Sequence, residues 1–338
     1  MNSHAAAWLC WLLLPLGMPG AFAAGSGFAG RSEVREFIAE MHEKHGFEPA
    51  RLSRLFRQIN PQPGVIRAIL PPHNPSVRSW VAYRDRYVEP IRINGGLRFW
   101  DTHRNTLDAA RRRYGVPEEI IVAIIGIETR YGRDLGRFSA LAALATLAFD
   151  YPPRAALFRG ELEALLLLSR DMRRDPLGYR GSYAGAIGLP QFLPSSIRNW
   201  AVDFDDDGQI DLTGSAADAI GSVARFLSDH GWVVDGPILE PATVSGEDTA
   251  ELIEAGIAPW LTPAEMAARG VHSAADAPQL PCALIDLASA DGPVEYRLGF
   301  RNFYVLTRYN RSSLYATAVF ELARELRRRQ AGAAAIPD

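Results

Sequence analysis

Cysteine is almost missing from this 338-residue chain: only Cys10 and Cys282 occur. That excludes a disulfide framework and any paired-cysteine metal site. An excess of charge of one sign is missing too. Lys and Arg total 36 against 39 Asp and Glu, a net charge of -3, which argues against a protein built around nucleic-acid phosphates. The local basic runs, Arg111 to Arg113 and Arg327 to Arg329, read as solvated helix surface. No G-x-S-x-G, H-E-x-x-H or P-loop is present, and the seven histidines are scattered. No period of roughly 20 to 50 residues repeats, which excludes a solenoid. The apolar run at residues 5–16 is too short to cross a bilayer. It is followed by the small-x-small triplet Ala21, Phe22 and Ala23, so residues 1–23 read as a secretory signal, although no Lys or Arg precedes the run. Cys10 sits inside that run behind Trp8 and Leu9, a poor lipid acceptor. The expected product is an exported, soluble, periplasmic chain without a lipid anchor, with Cys282 as its single cysteine.

What is present is a substantial core: 48% of residues are hydrophobic and 22% charged. One carboxylate stands out within the apolar positions. Residues 117–132 read PEEIIVAIIGIETRYG, a helix with Pro117 in its first turn, Glu118 and Glu119 at its positive end and Gly132 as its stop. The helical neighbours of Glu128 are Ile124, Ile125, Tyr131 and Gly132, none of them basic. Burial there pushes a carboxyl toward its neutral form, as a general acid requires. The alternative is a tertiary ion pair with Arg130 or Arg133.

Helical patterns cover residues 32–58, 98–114, 139–149, 154–173, 216–230 and 314–329. Between about residues 233 and 304 the texture changes to short Val, Ile and Leu runs broken by Gly, Pro and Asp, the pattern of a small mixed insertion with a few strands. The expected fold is mainly α: a helical core, an added helical region and a small β-containing insertion.

Three more segments carry chemistry. Residues 182–196, SYAGAIGLPQFLPSS, cannot form one regular helix. They are either a Gly-rich turn bringing Ser182 and Gln191 to a ligand or a packed connection. Residues 203–211, DFDDDGQID, match the first nine positions of an EF-hand loop. The ligands would be Asp203, Asp205, Asp207 and the backbone carbonyl of Gln209, with Asp218 closing the sphere because Gly214 stands where a bidentate Glu belongs. Hard oxygen donors favour calcium; an exposed acidic loop is the alternative. Residues 303–315, FYVLTRYNRSSLY, offer flat aromatic faces with polar rims, suited to sugar rings or to a core.

Together these segments, with LATLAFDYP and DAIGSVARFL, resemble the B-type lytic murein transglycosylases, in family order from about residue 30 to 325. The resemblance implies a lysozyme-like core, with residues 24–338 as the transglycosylase domain. It implies cleavage of the bond between N-acetylmuramic acid and N-acetylglucosamine in peptidoglycan, with a 1,6-anhydro product and Glu128 as sole acid and base. It further implies substrate contacts from Ser182, Gln191, Tyr309 and Asn310 around the acid, and from Tyr83, Phe226, Tyr315 and Arg154 along the glycan. A structural calcium on Asp203, Asp205, Asp207, Gln209 and Asp218 is implied as well, with no cofactor for the chemistry. Two departures stand out: Pro153 precedes Arg154 where some members pair two arginines, and Phe226 stands where a Tyr can occur. The expected partners are peptidoglycan glycan strands, with other cell-wall enzymes as further candidates, no nucleic acid, and a monomeric chain. Two readings stand beside this one: a hydrolytic muramidase and a calcium-dependent peptidoglycan-binding protein without turnover.

Overall fold

A computed structural model describes residues 27–70, 79–274, 276–290 and 292–334. The expected signal segment, residues 1–23, lies outside the described residues. The chain divides into two compact units, each built from discontinuous stretches: residues 79–134 with 200–334, and residues 27–70 with 135–199.

In the first unit the Glu118–Thr129 helix is the centre. It packs against Pro90–Thr102, Arg104–Tyr114, Ala216–Asp229 and Ser313–Ala334. Surrounded in this way, it is buried at every position from Ile120 to Ile127, as a helix apolar all round must be. Pro117 is its N-cap rather than a first-turn residue, with ψ 143. Its other end also departs from expectation: Arg130 takes the left-handed cap at φ 50, and Tyr131 at φ 60 and Gly132 at φ 86 prolong the turn. Arg130 pairs with Asp134 at 2.5 Å, not with Glu128. Arg327 is not merely solvated: it ties the Ser313–Ala334 helix to Glu118 and Glu119 and lies over the Trp100 ring. The single helical pattern at 98–114 is two helices, Pro90–Thr102 and Arg104–Tyr114, parted at His103. The mixed segment holds a four-stranded antiparallel sheet in the order Val271–Ser273, Leu239–Val244, Glu295–Gly299, Ala283–Leu287. Leu252, Met266, Cys282, Leu284 and Phe300 close its own small core.

In the second unit the Ala140–Asp150 and Ala155–Asp171 helices form an antiparallel pair across a short 3-10 turn. The 32–58 pattern splits into Ser32–His45 and Pro49–Arg57 because Gly46 adopts φ 70 as a C-cap. Phe28, Phe37, Phe56 and Phe149 make an edge-to-face cluster. Glu161, 5% exposed, accepts hydrogen bonds from the backbone N–H and the hydroxyl of Ser195 at the start of the Pro194–Trp200 helix. A buried carboxylate is tolerated there because it meets unpaired amides at a positive helix end.

Candidate active site

Glu128 is half-buried on the last turn of its helix, and its partner comes from far along the chain. The Tyr315 hydroxyl donates to Glu128 Oε1 at 2.7 Å across 187 residues. Burial raises the Glu128 pKa to about 7, against a smaller lowering by that hydrogen bond. Among the described residues no other charged group contributes to the shift. The site therefore offers a carboxyl poised between its two protonation states near neutral pH.

Three tyrosines surround this group electrostatically. Burial raises the pKa of Tyr83, Tyr309 and Tyr315, and the Glu128 charge raises each further. The turn between Arg301–Tyr309 and Ser313–Ala334 sets two of them: Asn310 Oδ1 accepts from Ser312 N, and Ser312 Oγ accepts from Tyr315 N. Tyr309 and Tyr315 then lie nearly parallel, 10° apart with centroids at 6.4 Å. Tyr83 packs on Tyr87 at 4.7 Å. Two of the expected glycan-facing aromatics are buried. Phe226 is 2% exposed, stacked on His230 at 4.0 Å and edge-on to Tyr309 at 5.0 Å. It backs Tyr309 and presents no open face to a sugar. Tyr315 is likewise 2% exposed, spent on the carboxyl instead of lining a groove.

Sequence reading missed the seat beneath this helix. The left-handed turn carries Tyr131 away from Glu128, so that its hydroxyl donates to Arg92 O at 3.0 Å. A Cβ on Gly95, Gly96 or Gly126 would collide with the Tyr131 ring or hydroxyl. Arg92, 8% exposed, donates from Nε to Gly126 O at 2.9 Å. The adjacent Gly95 and Gly96 inside a helix were the available signal.

In the second unit, Ser182 Oγ accepts from Ala184 N and Ala186 N, and Ser182 N donates to Ala186 O. The hydroxyl thus staples a tight turn in which Gly185 stands at φ 80. Gln191, at φ 49, donates from Nε2 to Gly188 O and Leu135 O. The stretch is a compact double turn held by the bridges from Ile187 to Gly181 and to Phe192. Arg154 lies over the Phe158 ring at 5.4 Å.

The acidic loop brings Asp203, Asp205 and Asp218 together, with carboxylate oxygens within 4.8 Å of one another. Asp207 stands outside that group and accepts from Gln209 N, the contact in which Gln209 takes part. Asp203 accepts from Asp207 N and Gly208 N, where Gly208 supplies φ 88. Asp218 is 1% exposed and accepts from Phe204 N and Asp211 N, pinning both ends of the loop. Burial raises its pKa, and repulsion from Asp205 and Asp203 adds to that. Converging hard carboxylates of this kind fit a divalent cation. A Cβ on Gly214 would meet Asp211 Oδ2 at 2.6 Å, so a larger residue there would have to displace the Asp211 carboxylate.

The family model "Transglycosylase SLT domain" matches residues 29–324. Membrane-bound lytic murein transglycosylase B of Escherichia coli (strain K12) is 40% identical over 313 residues, 88% of this chain and 83% of that protein. The crystal structure of soluble lytic transglycosylase SltB1 from Pseudomonas aeruginosa is 43% identical, covering 88% of this chain and 99% of that one with a TM-score of 0.82. Escherichia coli lytic transglycosylase Slt35 in complex with calcium is 37% identical, covering 91% and 96% with a TM-score of 0.79. With mainly helical architecture shared and nearly the whole described chain matched, this protein belongs to the SLT-domain family of lytic transglycosylases.

Proposed function

We propose that this protein is an exported enzyme that cleaves the glycosidic bond between N-acetylmuramic acid and N-acetylglucosamine in peptidoglycan without water. The observation that carries the reading is the Glu128 carboxyl, raised to about 7 by burial, with a tyrosine hydroxyl as its hydrogen-bond partner. Protonated, it donates to the glycosidic oxygen of the leaving sugar. The bond from that oxygen to the muramyl C1 breaks, and positive charge develops on C1 and the ring oxygen. The muramyl C6 hydroxyl then closes on C1 and its proton passes to the Glu128 carboxylate, which restores the starting acid and leaves a 1,6-anhydro end. Ordinary glycosidases need two carboxylates; here the substrate supplies the nucleophile, so one acid suffices. The Tyr315 hydrogen bond stabilises the carboxylate between the two proton transfers.

On this reading Tyr309 presents its ring to the glycan, backed by Phe226, and Tyr83 and Asn310 line the same region. Ser182, Gln191 and Arg154 add contacts to the glycan or its peptides. Calcium held by Asp203, Asp205 and Asp218 would neutralise their mutual repulsion and rigidify the loop. Residues 1–23 direct export to the periplasm, and residues 24–338 form the transglycosylase region with its insertion at about 233–304.

Replacing Glu128 with Gln keeps the shape and removes the proton. We expect release of anhydromuropeptides from purified sacculi to fall by about 10³-fold or more, and undiminished release would reject the assignment. Mass spectrometry of the products separates this reaction from hydrolysis, whose products are heavier by one water.

A further inference from the structure

The unit of residues 27–70 and 135–199 contains a cavity of about 940 Å³ between one side of Pro49–Arg57, from Glu48 to Gln58, and the C-terminal end of Ala155–Asp171. Its charge is opposite to that of the chain as a whole. Five arginines line it, at positions 51, 54, 170, 173 and 174, against the two carboxylates of Glu48 and Asp175. Asp175 already accepts from Leu177 N. Arg170 is committed as well: it lies over the Phe47 ring at 5.1 Å and donates to His45 O at 2.9 Å. Arg51, Arg54 and Arg173 are exposed, and among the described residues their side chains carry no ion pair or hydrogen bond. Leu52, Leu55, Leu166 and Leu177 supply apolar wall between the cations. A second cavity of about 370 Å³ shares Gln58 and Leu177 with the first and runs on to Ser139 and Arg180. The two adjoin at these shared residues and make one trough.

We infer that this trough is a binding site for short peptides bearing free carboxylates, here the stem peptides attached to muramyl sugars; the inference rests on the reading of the protein as a peptidoglycan enzyme. Arginine forks match carboxylates in a bidentate way, and spaced cations with apolar wall between them match carboxylates spaced along a peptide. The cavity runs along Pro49–Arg57 from its N-cap Glu48 to Gln58 and reaches the C-terminal end of Ala155–Asp171. That is about 14 Å by helix rise, the reach of an extended tri- or tetrapeptide and more than a single phosphate fills. The site is distinct from the contact expected of Arg154, which stands at the opposite end of the 17-residue Ala155–Asp171 helix, about 25 Å away by helix rise.

The test is calorimetric titration of the full chain with an alanyl-glutamyl-diaminopimelyl tripeptide. We expect binding to the wild-type protein, weakened about tenfold or more in R51E/R54E/R173E. We also expect the carboxamide form of the tripeptide to bind the wild-type protein at least about tenfold more weakly, a comparison that needs no variant. No binding to the wild-type protein, equal affinity in both proteins, or displacement of the tripeptide by equimolar inorganic phosphate would each overturn the site. Release of anhydro products from peptide-free glycan strands is measured separately. Its absence would sink the catalytic reading while the titration still decides the cavity.

Discussion

At the scale of single residues, the balance between burial and one hydrogen bond sets what Glu128 can do. The Tyr315 hydroxyl lowers a pKa that burial has raised to about 7, so Tyr315→Phe should raise it further. The alkaline limb of the pH–activity profile should then move up by about one unit, the size expected for losing a hydrogen bond to a charged group. A limb that stays in place would show that the hydroxyl does not act on the carboxyl. The same shift has a stability consequence. Glu128 binds its proton more tightly in the folded protein than at the ordinary value of 4.5. Wild-type stability therefore falls as pH rises from 4.5 to about 7, and the deficit is complete above that. Glu128→Gln should thus stabilise the protein by roughly 3 kcal/mol at pH 8 and by little at pH 4, read by denaturant unfolding at both pH values. Glu128 itself was legible in the sequence because an acid without a basic neighbour on an apolar helix is visible from spacing. Its partner was not: Tyr315 is 187 residues away, and no local pattern encodes such a contact. The burial of Phe226 against Tyr309 and His230 was hidden for a related reason, since a buried and an open aromatic look alike in sequence until their neighbours are known.

At the scale of elements, the Glu118–Thr129 helix is held in register by the seat of Tyr131. Its hydroxyl and ring fill the space left by three glycines on two helices. Gly126→Ala places a methyl group on the Tyr131 hydroxyl, and we expect a loss of about 1–3 kcal/mol. Thermal or chemical unfolding measures the loss, which should be smaller in a Tyr131→Ala background that has already removed the ring. Purely additive effects would mean that the two groups do not meet. The helix was predictable from its Pro, its acidic first turn and its apolar run. Its ending was not, because a left-handed cap on Arg130 with Gly at 132 inverts the expected order. Breaks at Gly46 and His103 escaped for a similar reason: amphipathic periodicity continues across a one-residue kink that redirects the backbone.

At the scale of the whole molecule, the acidic loop joins the Ala216–Asp229 helix to the chain that leads into it, through the two backbone bonds of Asp218. Calcium that binds only the folded loop stabilises the entire cooperative unit, by about 2.7 kcal/mol when present at 100 times its Kd. We expect EGTA to lower Tm by several degrees and calcium to restore it. Asp205→Ala should abolish the response, and a Tm indifferent to both additions would remove the metal from the account. The mainly helical class and the small sheet were legible from composition and periodicity. The division into two units was not, because each unit takes residues from separate stretches of chain, and linear texture shows no boundary where contacts regroup in space.

The distance between Glu128 and Tyr315 has a consequence for the order of assembly. As the chain is made from its N-terminus, the helix bearing Glu128 emerges early, but the Ser313–Ala334 helix against which it packs comes 187 residues later, with the hydroxyl that holds its carboxyl. The stretches that make up residues 27–70 and 135–199 are complete long before that. The setting of Glu128 is therefore finished last. On the proposed reading of Glu128, a copy cut short before Tyr315 carries the whole of the acid's helix but lacks its hydrogen-bond partner, and we expect it to release no anhydromuropeptides from sacculi.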